Sequence, residues 1–288
     1  MRACAVTTDV LCARRATLGE SPRWDDAAGL VRWLDIDDGL VCSVDLAGGH
    51  LDTWDVGPPV GSLVLHADGG MLVAIGDEWR RPGAGAADRP SVGLDLPEMR
   101  FNDAGVDSLG RVWTATMRRD ENLDEPGTGA LYLLAGERLE PVHRGLVCGN
   151  GIAWSPDGAA FYLVDSGPNV VLRWAFDLAD GLVGEPEVLL RPAHGLADGL
   201  AVDVDGGVWL ALWGTGQVNR YAADGTPTHV VEVPTGQVTA VAFAGPSLTT
   251  MVITTAAMGL DADKHPYAGA LFVAEAPVAG LPLHRSTW

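Results

Sequence analysis

The chain has no window of 18 apolar residues, so a membrane-crossing helix is not expected. Its first twenty residues, MRACAVTTDVLCARRATLGE, carry charge too early and too often for a secretory leader, which makes the cytoplasm the expected location. Cysteine is sparse. Cys4, Cys12, Cys42 and Cys148 form no CxxC pair, so they read as reduced thiols and not as a disulfide framework or zinc cluster. Positive charge is also scarce: 19 Lys and Arg stand against 38 Asp and Glu, a formal net charge of −19. That surface repels nucleic-acid phosphates and anionic membranes, and no basic stripe overrides it. A G-x-S-x-G elbow, an HExxH pair and a GK[ST] phosphate loop are all missing, although 76–90 is rich in Gly and Ala and reads as a loop over a channel mouth. No segment reads as a long amphipathic helix.

What remains is short, punctuated and repetitive. With 37 Gly and 18 Pro, the chain has turn residues in the number that an all-β repeat architecture needs. Six units align on their turns: RWDDAAGLVRWLDI (23–36), VLHADGGMLVAI (64–75), GVDSLGRVWTAT (105–116), AWSPDGAAFYLVD (153–165), AVDVDGGVWLAL (201–212) and AFAGPSLTTMVIT (242–254). Each is an apolar strand, a turn rich in Asp, Gly or Pro, and a second strand of Val, Leu and aromatics, the pattern of a β-hairpin. Further strands follow at 40–46, 130–134, 170–176, 218–222 and 270–274. A period near forty to fifty residues is that of four-stranded propeller blades. The expected fold is therefore all-β, a six-bladed β-propeller filling 1–288 as one domain. The N-terminal strand pairs with the last blade to close the ring and remove exposed edges. An eight-stranded sandwich is the competing architecture, but it does not predict like side chains at like offsets.

Such like side chains are present. Glu20, Asn102, Asn150 and Asp198 each stand four residues ahead of an apolar run and eight or nine before a turn glycine. The same offset in the other two units gives Gly61 and Thr239. Equivalent positions of a closed ring face one axis, so the four oxygen donors converge off-centre, with one side left open. Asp and Asn at strand entries also cap turns through their own backbone bonds, but Glu20 is a poor capping residue. Carboxylates and amides are hard ligands suited to Ca²⁺, Mg²⁺ or Mn²⁺.

The stretches LGESPRWD (18–25), RFNDAGVDSLGRVWTATM (100–117), GNGIAWSPDGAAFYLVDS (149–166) and ADGLAVDVDGGVWLA (197–211) resemble the SMP-30/gluconolactonase/regucalcin family, in its order and over nearly the whole length. The resemblance implies one divalent metal ion in the central channel (Ca, Mg, Mn or Zn) and hydrolysis of a small sugar lactone. It places the metal ligands at Glu20, Asn150 and Asp198. It places substrate contacts at Arg100, Asn102 and an acidic residue after TATM, Asp120 by offset with Glu121 beside it. Asp198 is the candidate catalytic base, accepting the proton of the attacking water, while Asn102 could serve metal or substrate. A phosphotriesterase resembling diisopropylfluorophosphatase would use a similar ring, and a non-catalytic calcium-binding propeller is the third reading. The protein is expected to be a monomer or a weak homo-oligomer.

Overall fold

Alternating apolar residues between turn glycines build six antiparallel sheets, and no helix forms among the described residues. The structure, a computed structural model of the 288-residue chain, describes residues 5–82, 92–124, 127–136 and 138–288. Cys4 and most of the Gly/Ala-rich loop at 76–90 lie outside them. Each sheet is one blade of a six-bladed propeller, as the repeat predicts. The innermost strands are Gly19–Asp25, Val60–Leu65, Met99–Val106, Gly149–Trp154, Leu196–Val202 and Val238–Ala244, in blades 1 to 6.

The turn glycines explain the hairpins. Gly29, Gly69, Gly110, Gly158 and Gly206 all adopt positive φ, between 68° and 89°, which L side chains rarely do. In blade 6 the non-glycine Leu248 takes the left-handed position instead, at φ 54°.

Ring closure comes from the start of the chain. Asp9–Cys12 pairs antiparallel with Leu271–Glu275 as the outermost strand of blade 6. The sequence did not point to a second tether: Ala5–Val6 runs parallel to Pro227–Glu232 and adds a fifth strand to blade 5.

The core consists of six wedges between neighbouring blades, each an apolar cluster drawn from two adjacent sheets. Trp33, Trp79, Trp113, Trp174 and Trp209, one from each of the first five blades, are at most 2% exposed. Burial of a large apolar side chain contributes about 1.5–3 kcal/mol, so these rings fix how the blades stack.

Blades 3 and 5 share a polar device. Asp107 and Asp203 directly follow their inner strands, and one carboxylate oxygen of each accepts two backbone N–H groups of the turn. The other oxygen accepts the indole N–H of the tryptophan six residues on, Trp113 or Trp209, at 2.9 and 2.8 Å. Asp203 also receives Arg220 Nε at 2.6 Å, where both side chains are almost fully enclosed. The DVDG run at 203–206 is thus a capped turn.

Removing this carboxylate strands a buried guanidinium and an indole N–H. Asp203→Ala is expected to cost about 3–5 kcal/mol in urea unfolding. Asp157→Ala, whose carboxylate holds only an exposed turn, is expected to lower stability far less than Asp203→Ala. Equal losses for the two variants would show that the Asp203 network contributes no special stability.

Candidate functional site

Every innermost strand loses register with its neighbour at one place. The ladder breaks between Glu20 and Arg23, Val60 and Ser62, Phe101 and Ala104, Gly149 and Ile152, Ala197 and Leu200, and Val238 and Ala240. These are β-bulges, which re-aim side chains that strict alternation would send into the wedges. The four oxygen-bearing residues predicted from sequence all sit at these breaks. Three of the bulges require glycine: a Cβ would lie 2.1 Å from Phe101 O on Gly61, 2.4 Å from Leu200 N on Gly151, and 2.5 Å from Ala240 Cβ on Gly199. Ser21, directly after Glu20, takes the left-handed conformation at φ 52°, a strained backbone at the site itself.

Glu20, Asn102, Asn150 and Asp198 line one cavity of about 170 Å³, together with Leu18, Arg100, Met117, Glu121, Cys148, Ser166 and Trp213. The structure therefore brings together the metal set named from sequence and two of the three predicted substrate contacts. Asp120 is not among the lining residues. Its carboxylate pairs with Arg118 on the exposed side of the loop, while Glu121, at φ 53°, turns inward and accepts a bond from Arg100 Nη2 at 2.9 Å. The left-handed turn at Glu121 is what exchanges the two positions, and a count of offsets does not register it.

Arg100 is buried and also donates to Asn102 Oδ1 at 2.6 Å, while Asn102 Nδ2 donates to the Gly149 carbonyl at 3.0 Å. Both ends of that amide are engaged, so Asn102 holds Arg100 in place. Asn150 Nδ2 donates to Ser166 Oγ at 3.1 Å, and Ser166 passes the bond on to the Ala197 carbonyl. Asn150 also lies close enough to the Asp198 carboxylate to favour its charged form. Ser166 was not singled out in the sequence. Neither was Asp103, which is 3.3 Å from Arg23 and close enough to raise both Glu20 and Asp198 electrostatically.

The electrostatics of this group are unbalanced. Burial, together with the nearby charge of Asp103, pushes the Glu20 carboxyl up to about 8. Burial likewise lifts Asp198 well above the usual carboxylate range, with Glu20 and Asp103 adding to the effect. Counting Glu121, four carboxylates share two guanidiniums, Arg23 and Arg100. A divalent cation among Glu20, Asn150 and Asp198 would let both carboxylates ionise, and the all-oxygen donor set fits a hard ion. No group of three or more His, Cys, Asp or Glu side chains gathers for a metal among the described residues; the donors here are two carboxylates with amides. Cys148 lies in the cavity, but burial pushes its thiol up to about 12, so it stays protonated and is no nucleophile.

Comparison with known proteins agrees with this architecture. The family profile described as "SMP-30/Gluconolactonase/LRE-like region" matches residues 18–257. The pentonolactonase XacC of Haloferax volcanii is 32% identical, over 93% of this chain and 94% of its own. Regucalcin of Gallus gallus is 29% identical, over 96% and 97%. The crystal structure of a calcium-binding protein, regucalcin, from Agrobacterium tumefaciens superposes with a TM-score of 0.88 at 31% identity, covering 98% of this chain and 99% of that one. With its ring of six blades and its matching profile, the chain belongs to the SMP-30/gluconolactonase/LRE-like family.

Proposed function

We propose that this protein hydrolyses a sugar-acid lactone in the cavity where Glu20, Asn150 and Asp198 meet. The observation that carries the proposal is the pair of carboxylates from blades 1 and 5, Glu20 buried and Asp198 half-buried, lining one cavity beside Arg100 with too little positive charge between them. The lactonase named in the family description and in the haloarchaeal relative supports the substrate class.

Glu20, Asn150 and Asp198 would hold the divalent cation, which when bound supplies a Lewis acid for the lactone carbonyl and makes a nearby water more acidic. Asp198 accepts the proton of that water as its oxygen bonds to the carbonyl carbon. The ring C–O bond then breaks, and the ring oxygen leaves as a hydroxyl carrying the proton. Arg100 donates to the substrate's hydroxyls and then to the carboxylate formed by ring opening. Glu121, partly exposed beside Arg100, accepts from a sugar hydroxyl and holds the guanidinium toward the cavity. Trp213 gives the cavity an apolar wall against which a sugar ring face can lie.

Asp198→Asn is expected to lower kcat by about 10²- to 10⁴-fold on a pentono- or hexonolactone, followed by acid release. Glu20→Gln should lose bound divalent ion in native mass spectrometry. Turnover by a chelated Asp198→Asn protein at the wild-type rate would sink the mechanism.

The loop gives a second expectation. Glu121→Gln should raise KM about tenfold, while Asp120→Asn stays within about twofold of wild type. The reverse ranking would return the contact to Asp120.

A third concerns pH. The folded-state value of Glu20 lies above the ordinary 4.5, so the metal-free folded protein binds the extra proton. Its stability should therefore fall as pH rises from about 4.5 to about 8. Millimolar Ca²⁺ should remove that fall, as read by melting temperature across the same range.

A further inference from the structure

The central channel has a second mouth, and its chemistry is the opposite of the first. Past the bulges, the inner strands present Val64, Ile152, Trp154, Leu200, Val202 and Phe243 where the first mouth has carboxylates and amides. They enclose about 460 Å³, within the roughly 300–1,000 Å³ of small-molecule sites. The two cavities have no lining residue in common. Arg23 separates them: its guanidinium donates to the carbonyls of Pro22, Leu63 and Ala104 and pairs with Asp103.

The end of the chain crosses this mouth. On one side Gly280 N donates to the Leu248 carbonyl, and the Ala279 carbonyl accepts from Val204, fastening the strap to blades 5 and 6. On the other side Ser286 bonds Leu65 and Ala67, Thr287 bonds Gly110, and Arg285 pairs with Asp25 and Asp26. Residues 281–284 span the gap between these anchors and line the chamber.

We propose that this chamber binds a small, neutral, largely apolar molecule. The strap, fastened at both ends, bars a peptide or a protein surface from the mouth. The enclosed charges of the chamber wall offer a ligand no free counter-charge, because the positive charge of Arg23 is matched by Asp103 and the Asp107 carboxylate is occupied by Arg111 and Trp113. The polar groups of the Ser155–Asp157 turn likewise bond one another. Apolar enclosure with few open polar partners, the unpartnered Trp154 indole N–H among them, holds water poorly and takes up largely apolar guests. The inference stands apart from lactone hydrolysis, since it uses none of the residues of that site.

The test is titration of the full-length protein with the neutral fluorophore N-phenyl-1-naphthylamine. Saturable one-to-one binding is expected, with a dissociation constant on the order of 10 µM. Two chamber-filling variants, Ala153→Phe and Ala201→Phe, should each weaken it at least about tenfold, and so should Leu283→Asp on the exposed strap. Cooperative melting and unchanged divalent-ion binding identify which variants are folded, and having three keeps the test readable if one is not. Absence of saturable binding, or undiminished binding in the folded variants, overturns the proposal. Competition by a lactone at the same site would overturn it as well, because the probe would then report the first cavity.

Discussion

The site depends on one repeated defect in the sheets. In a regular strand, alternate side chains go to opposite faces, and in a propeller both faces are buried against neighbouring blades. A glutamate at position 20 or an aspartate at 198 would then lie in hydrocarbon. The bulge in each inner strand releases those side chains toward the axis without opening the wedges on either side. Pairing of Asp9–Cys12 with Leu271–Glu275 closes the ring that carries the six bulges. Fold stability and site geometry thus share a cause: the apolar wedges hold the blades at fixed angles, and the bulges convert those angles into convergence.

The ring is asymmetric for steric reasons as much as chemical ones. In blade 2 the position equivalent to Glu20 is Gly61, where an added Cβ would lie 2.1 Å from the Phe101 carbonyl oxygen. In blade 6 it is Thr239, whose hydroxyl is committed to the Gly19 carbonyl at 2.6 Å and to Thr254. One blade has no room for a donor side chain, and the other spends its donor on holding the first blade. The carboxylates are consequently left on blades 1 and 5, with the Asn102–Arg100–Glu121 chain on blade 3 between the amide and the open mouth.

Much of this was legible in the chain because it repeats. Turn glycines such as Gly110 and Gly206 must sit where φ is positive, so their spacing reports the hairpins. The offset from glycine back to Asn102 or Asp198 then reports the bulge. The outer strands were not legible: Arg138–Leu146 and Gly181–Leu190 mix apolar and polar residues on solvent-facing edges and are interrupted by Pro141, Gly184 and Pro186, so no alternation marks them. Asp103 was hidden for another reason. It follows Asn102 inside a bulge, where adjacent residues do not alternate, and only the folded ring shows that it lies near Glu20 and Asp198. Asp120 and Glu121 could not be ranked because a single left-handed residue reverses which one points inward.

Arg23 makes one channel into two environments. It sits just past the Glu20 bulge, lines the second cavity and donates to carbonyls contributed by blades 1, 2 and 3. Above it, its charge and that of Arg100 are too little for the carboxylates that gather there, which favours a cation. Below it, Asp103 has matched the charge, and the chamber wall is mainly apolar. A neutral residue at position 23 would leave Asp103 as a third unmatched carboxylate and join a polar chamber to an apolar one. The guanidinium is therefore what allows a six-fold repeat to carry opposite chemistry at its two ends.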